Sequence, residues 1–305
     1  MNKIFYVLSL AGVVLAACSK QAPEVSVPEQ EEIAFVMGGE FVSVVETRAT
    51  PVTDANLSTL YVNATTGSGS ESAAFTSVSF TKSGSTWTGG KYWPSSDPGY
   101  HFYAANVALT HTSNGATVSP TNANTDIIVD YVATTNWKQN TTLNMEHIFA
   151  QVGTVSMKAP AGYAVENMKI SLLPVVGGTY NLKSDSWTTR GTAQGATYIL
   201  GTSSAGVTVS TETNNATYTG SDNDLWLVPG TYTLTATYTM RKGDYSANVT
   251  KTCNVTLIQG KNNNIGPTVS GNVDIPNIPE PTDMAEITFT VNVTPWSDQH
   301  VDANF

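Results

Sequence analysis

The chain has 305 residues, of which 40% are apolar and only 12% charged, so it can fill a sizeable core and is expected to form two domains. That composition excludes a chain disordered over most of its length. Its formal charge of −10 argues against nucleic acid or an anionic lipid surface as a partner, because both need clustered Lys and Arg.

Residues 1–17 read as an export signal. Lys3 precedes an apolar run from Ile4 to Leu15 that is too short to span a bilayer. Leu15-Ala16-Ala17-Cys18 looks like a bacterial lipobox, a signal whose cysteine becomes the new N-terminus and carries the lipid, so Cys18 is the expected lipid attachment point. Cys253 is then the only thiol left, and no internal disulfide is expected. It lies in the alternating run Val249, Lys251, Cys253, Val255, Leu257 and reads as a small buried residue. Residues 18–32 are polar and acidic, with Pro23 and Pro28, and form a tether.

The segment from Ile33 to Val45 reads as extended chain. Ile33, Phe35 and Met37 share one face, Gly38-Gly39 is a break, and Phe41 and Val45 follow. Beyond it Arg48 and Ala49 stand in a polar run before Pro51, a loop arginine by its setting. Residues 49–160 show short strands separated by Gly, Ser, Asn and Thr turns: Leu60–Val62, Thr76–Phe80, Thr86–Thr88, Tyr100–Asn106, Asp126–Tyr131 and Glu146–Met157. Thr110 to Asn124 has no periodicity and reads as a loop.

Pro160-Ala161-Gly162 marks the expected boundary, and 161–282 repeats the all-β pattern. Strands are expected at Met168–Leu172, Thr179–Leu182, Thr197–Leu200, Val207–Val209 and Leu225–Val228. In Gly230 to Met240, Tyr232, Leu234, Ala236 and Tyr238 alternate with threonines, giving one core face and one polar face. Asn248 to Gln259 would pair with it across the Arg241-Lys242-Gly243-Asp244 connection. Gly260 to Asn264 reads as a turn and Val269 to Ile275 as a strand. A spacer with Pro276, Pro279 and Pro281 leads to residues 283–305, where Ile287, Phe289, Val291 and Val293 alternate with polar residues up to Trp296. A terminal strand on a tether can complete its own sheet or another molecule's.

Chemistry is hard to find in this sequence. His101, His111, His147 and His300 are far apart and none sits in a metal-binding spacing, so no metal site and no cofactor are expected. Asp222 and Asp224 around Asn223 read as a solvated turn before they read as a calcium site. No nucleophile motif or phosphate loop is present, and an enzyme is not expected. The six tryptophans and thirteen tyrosines first serve to fill cores. Two or three tryptophans exposed in one patch would instead favour the alternative, a monomeric outer-membrane lipoprotein that binds glycan through stacked aromatics.

Taken with the lipobox and Arg48, several segments in order carry a resemblance. They are Tyr92-Trp93-Pro94, Tyr100-His101-Phe102-Tyr103-Ala104-Ala105, Glu146 to Val152, Gly260-Lys261-Asn262-Asn263 and Val291-Asn292-Val293-Thr294-Pro295-Trp296. The chain resembles the fimbrillin-like lipoproteins, subunits of type V pili, over essentially its whole length. The resemblance implies two transthyretin-like β-sandwich domains in tandem, 49–160 and 161–282. It also implies export to the cell outer membrane on the Cys18 lipid, then cleavage between Arg48 and Ala49 by an arginine-specific protease. Residues 33–48, with Ile33, Phe35, Met37, Phe41 and Val45, would be the strand displaced by that cut. The donor strand, with Ile287, Phe289, Val291 and Val293, would fill the groove of a neighbouring subunit in a head-to-tail, adhesive fimbrium.

Overall fold

A computed structural model describes residues 30–38, 52–53, 55–122, 125–133, 136–158, 162–209, 211, 217–220, 225–270 and 286–295. The expectations placed on Cys18, Phe41, Val45, Arg48, Ala49, Asp222 to Asp224, the proline spacer and Trp296 lie outside these residues. Among the described residues every helix or strand element is a strand.

The first half holds β1 (Glu32–Met37), β2 (Thr59–Thr66), β3 (Ser72–Ser83), β4 (Thr86–Tyr92), β5 (His101–Ala105), β6 (Thr110–Thr112), β7 (Gly115–Val118), β8 (Ile128–Val132), β9 (Thr141–Leu143) and β10 (Glu146–His147). Eight of them form one sheet in the order β10-β8-β5-β2-β3-β4-β1-β9. The ring of Phe35 on β1 lies 5.0 Å from that of Phe102 on β5, although β2, β3 and β4 come between in the sheet. The sheet therefore curls over on itself, and its inner face collects Ile33, Phe35, Leu60, Val62, Phe80, Trp87, Trp93 and Phe102 into the first core.

The second half begins with β11 (Ala150–Lys158) and β12 (Ala164–Leu172). It continues through β13 (Gly178–Asn181), β14 (Ser186–Arg190), β15 (Thr197–Leu200), β16 (Thr217–Gly220), β17 (Leu225–Leu227), β18 (Gly230–Lys242), β19 (Tyr245–Leu257), β20 (Lys261–Ser270) and β21 (Glu286–Pro295). Two sheets, β16-β11-β20-β21 with β17 beside β11, and β15-β12-β18-β19, enclose a second core that includes Val152, Val155, Ile170, Leu234, Tyr238, Val255 and Ile265. This pair is a β-sandwich.

The alternating run of β18 buries Tyr232, Leu234, Ala236, Tyr238 and Met240, and β18 pairs with β19 in unbroken register from Gly230↔Leu257 to Lys242↔Tyr245. On the outer face Thr233 and Thr239 hydroxyls donate to Asn254 and Asn248 across the strands. The turn needs only Gly243 and Asp244. Gly243 has φ +59°, the left-handed conformation that a tight hairpin of the II′ kind requires at its first central residue.

A fourth sheet, β14-β13-β7-β6, joins the halves. Hairpin β6–β7 comes from the stretch expected to be a loop at Thr110 to Asn124. It is a strand pair because Tyr180↔Val118 and Asn181↔Thr117 supply a ladder from the second half, information that local periodicity does not carry. The run Glu146–Met157, read as one strand, divides at Ile148 and Phe149. β10 pairs with β8, while β11 pairs with β17, β20 and β16, so chain partners change from the first half to the second ahead of Pro160. Between the halves Tyr103, Phe149, Tyr180 and Trp226 pack with Ile148 and Val228 into a third core.

Of the turn expected at Gly260 to Asn264, Gly260 is in a turn, with φ +61°, while Lys261 to Asn264 are the start of β20. Its cause is Asn263, fully buried, whose amide donates to the carbonyls of Gln151 and Lys261 and accepts from the Ile258 N–H. An asparagine that would favour a turn alone is here satisfied by a neighbouring strand. Val207, expected in a strand, forms an isolated bridge with Met168. Strands β9 and β14 were not anticipated from periodicity because both are short and almost wholly polar.

Candidate assembly site

β1 is a strand of the first sheet. It runs antiparallel to β4, with Ala34↔Thr88, Phe35↔Trp87 and Val36↔Thr86 opposite one another, and parallel to β9, with Phe35↔Thr141 and Met37↔Leu143. Alternation puts Ile33 and Phe35 inward, at 1% and 0% exposure, while Ala34 and Val36 are half-buried on the other face. The Phe35 ring stands edge-on to Phe80 at 5.1 Å and to Phe102 at 5.0 Å, a geometry favoured by the ring quadrupoles. Met37 packs against the same core.

Polar contacts fix the position of β1 along the slot. The Gly90 N–H donates to Glu32 Oε1 (2.8 Å), the Trp93 N–H to the Glu31 carbonyl (2.9 Å), and the Gly38 N–H to the Leu143 carbonyl (2.8 Å). Burying Ile33 and Phe35 contributes about 3–6 kcal/mol, so a sheet that loses β1 exposes apolar surface and two unpaired strand edges. Past the undescribed residues the chain is held again at Val52, whose N–H donates to Asp126 Oδ2 (2.9 Å). The same oxygen lies 2.7 Å from His147 Nδ1.

β21 pairs antiparallel with β20 over its whole length, from Lys261↔Pro295 to Ser270↔Glu286, and lies at the edge of its sheet. In this single chain the C-terminal strand thus completes its own sheet. Residues 271–285 connect the two strands, whereas β18 and β19 need only two residues to do the same. Connections between hairpin strands are usually two to five residues long.

The halves meet at a buried carboxylate. Glu71 accepts from Thr65 Oγ1 (2.6 Å), Tyr103 Oη (2.7 Å) and Lys183 Nζ (2.5 Å), and His101 Nδ1 lies 3.1 Å away. Burial by itself raises the carboxyl, yet the hydrogen bonds from Lys183, Thr65, Tyr103 and His101 outweigh it and hold the group down at about 2. Burial and the neighbouring Glu71 charge push the Tyr103 hydroxyl up, so it stays a donor.

The Fimbrillin-like family model matches residues 47–296. The chain belongs to the fimbrillin-like family.

The chain is also similar to several solved structures. One is a fimbrilin of Porphyromonas gingivalis, 14% identical, with 88% of this chain and 98% of that one covered and a TM-score of 0.46. Two more, from Bacteroides uniformis and Bacteroides ovatus, are assigned to cell adhesion. They are 11% and 14% identical, cover 89% of this chain and 99% of theirs, and have TM-scores of 0.48 and 0.46. No curated protein matches the chain.

Several residues singled out in the sequence take structural places in this fimbrillin-like chain. Trp87, Trp93 and Trp226 are buried, and Trp137 and Trp187 are half-buried against the cores, so no described tryptophan belongs to an exposed stacking patch. Trp187 Nε1 donates to the Ile148 carbonyl. Cys253 is half-buried against the second core, and burial pushes its thiol up to about 11. Among the described residues no group of three or more His, Cys, Asp or Glu could hold a metal ion.

Sequence reasoning missed the roles of Glu71, Asp126 and Asn263, three of the buried polar residues that tie separate segments together. Glu71 follows Gly67-Ser68-Gly69-Ser70, a stretch that reads as a solvated turn. Nothing near it in sequence foretells that Lys183 will arrive from the other half.

Proposed function

We propose that this fimbrillin-like chain is a structural, non-enzymatic subunit of a type V pilus, built as two tandem transthyretin-like sandwiches and assembled by strand exchange. It is exported as a lipoprotein on Cys18 to the outer membrane and cleaved between Arg48 and Ala49 by an arginine-specific protease. Residues 33–48 then leave the first sheet, and the β21 strand of a neighbour, with Ile287, Phe289, Val291 and Val293, takes their place. The product is an adhesive cell-surface fimbrium, a shaft or tip built head to tail.

One observation carries this reading. β1, which the family match leaves outside its span, puts Ile33 and Phe35 in the middle of the first core. A segment that is cut away yet seals a core leaves a slot that only another strand can refill without exposing backbone donors and acceptors. The length of the 271–285 connection supports the reading from the other end, because fifteen residues of chain are long enough for the strand to leave β20 and reach another molecule.

The test is Arg48→Ala in cells that export and process the protein. The expected outcome is a lipid-anchored monomer with no high-molecular-weight ladder on unheated gels. Ladders at the wild-type level would overturn cleavage-dependent assembly.

A further inference from the structure

β1 and the start of β21 match at three of six positions. Glu32-Ile33-Ala34-Phe35-Val36-Met37 and Glu286-Ile287-Thr288-Phe289-Thr290-Val291 share Glu, Ile and Phe at the same spacing and end on an apolar residue. Each shared residue is one that the slot reads. Glu32 accepts the Gly90 N–H, Ile33 is fully buried, and Phe35 fits between the rings of Phe80 and Phe102. Of the three positions that change, Ala34 and Val36 against Thr288 and Thr290 fall on the half-buried outer face, where a β-branched hydroxyl costs little, and Met37 against Val291 keeps an apolar residue on the core side.

We propose that, within the strand-exchange reading above on which this inference rests, residues 286–291 of one subunit enter the β1 slot of a second copy position for position. Phe289 then takes the seat of Phe35, Ile287 that of Ile33, and Glu286 accepts the Gly90 N–H. The incoming strand keeps the direction of β1, antiparallel to β4 and parallel to β9. A slip by one residue would turn Thr288 or Thr290 into the Phe80–Phe102 seat. A slip by two would leave Val291 in a space shaped for phenylalanine and force Phe289 into the space of Ile33.

The register is tested by disulfide trapping in the full chain carrying Cys253→Ser, processed with trypsin so that Cys18 leaves with the N-terminal segment. Val36 lies opposite Thr86, so Thr86→Cys with Thr290→Cys should form an intersubunit disulfide on oxidation. The trapped yield should exceed that of Thr86→Cys with Asn292→Cys by at least about tenfold, since direct cross-strand neighbours are closer than diagonal ones. Equal trapping, or preferential trapping of the Asn292 pair, overturns the register while leaving strand exchange intact. Thr88→Cys with Thr288→Cys, placed by Ala34↔Thr88, gives an independent second reading if the first pair fails to fold. If processed wild-type protein forms no polymer on size-exclusion chromatography, the strand-exchange reading falls and the register falls with it.

Discussion

Lys183 Nζ lies 2.5 Å from Glu71 Oε1, so a cation from the second half neutralises a carboxylate sealed inside the first. Thr65, Tyr103 and His101 complete its coordination, and the shared β6-β7-β13-β14 sheet runs alongside. The two halves are therefore coupled by a charge and a ladder.

Acid should loosen this contact. The Glu71 carboxyl is held at about 2 in the folded protein against 4.5 for an ordinary one, so its stabilising contribution is complete above about pH 4.5. It is lost as pH falls from there towards 2, because the unfolded chain takes up the proton first. Thermal melts should show Glu71→Gln less stable than wild type by about 2 kcal/mol at neutral pH, with the gap closing through that acid window. A constant gap from pH 7 to 2 would refute the assignment.

Phe35→Ala in the uncleaved protein should cost about 3–5 kcal/mol in urea unfolding, because it empties the seat between Phe80 and Phe102. Ala34→Ser, on the half-buried outer face of the same strand, should cost less than about 0.5 kcal/mol.

Gly153 is needed where β11 meets β20. A Cβ there would lie 2.0 Å from Asn262 Oδ1 and 2.7 Å from Asn264 Oδ1, the oxygen that accepts the Thr154 N–H. Gly153→Val should cost about 2 kcal/mol or more and speed hydrogen exchange at Thr154. Unchanged protection would show that the strands can separate without loss.

Cys253 should be slow towards thiol reagents. With its thiol pushed up to about 11 by burial, it is protonated at pH 8, and the thiol is the poor nucleophile. Labelling by a disulfide reagent at pH 8 should run well below the rate of free cysteine and rise steeply towards pH 11.

Much of the strand content was legible in the sequence, because a strand with one face in a core and one in solvent writes its period into the chain. β18, β19 and the run through Ile33 and Phe35 are of this kind. Hairpin β6–β7 was hidden since its ladder partner, β13, comes from the other half of the chain, and β20 was hidden because Asn263 is a turn former until Gln151 satisfies it. The candidate site divides in the same way. Its alternating apolar residues were readable in advance, but the neighbours of Phe35 were not.

By itself the sequence determined which segments extend, which of their faces are apolar, and the family to which their order belongs, since all of these depend on residue type at a given spacing. Only the tertiary structure decided that the first sheet curls until Phe35 meets Phe102, and that Lys183 finds Glu71. Those contacts join residues far apart in the chain, and their energy depends on burial and on partners that no local spacing records.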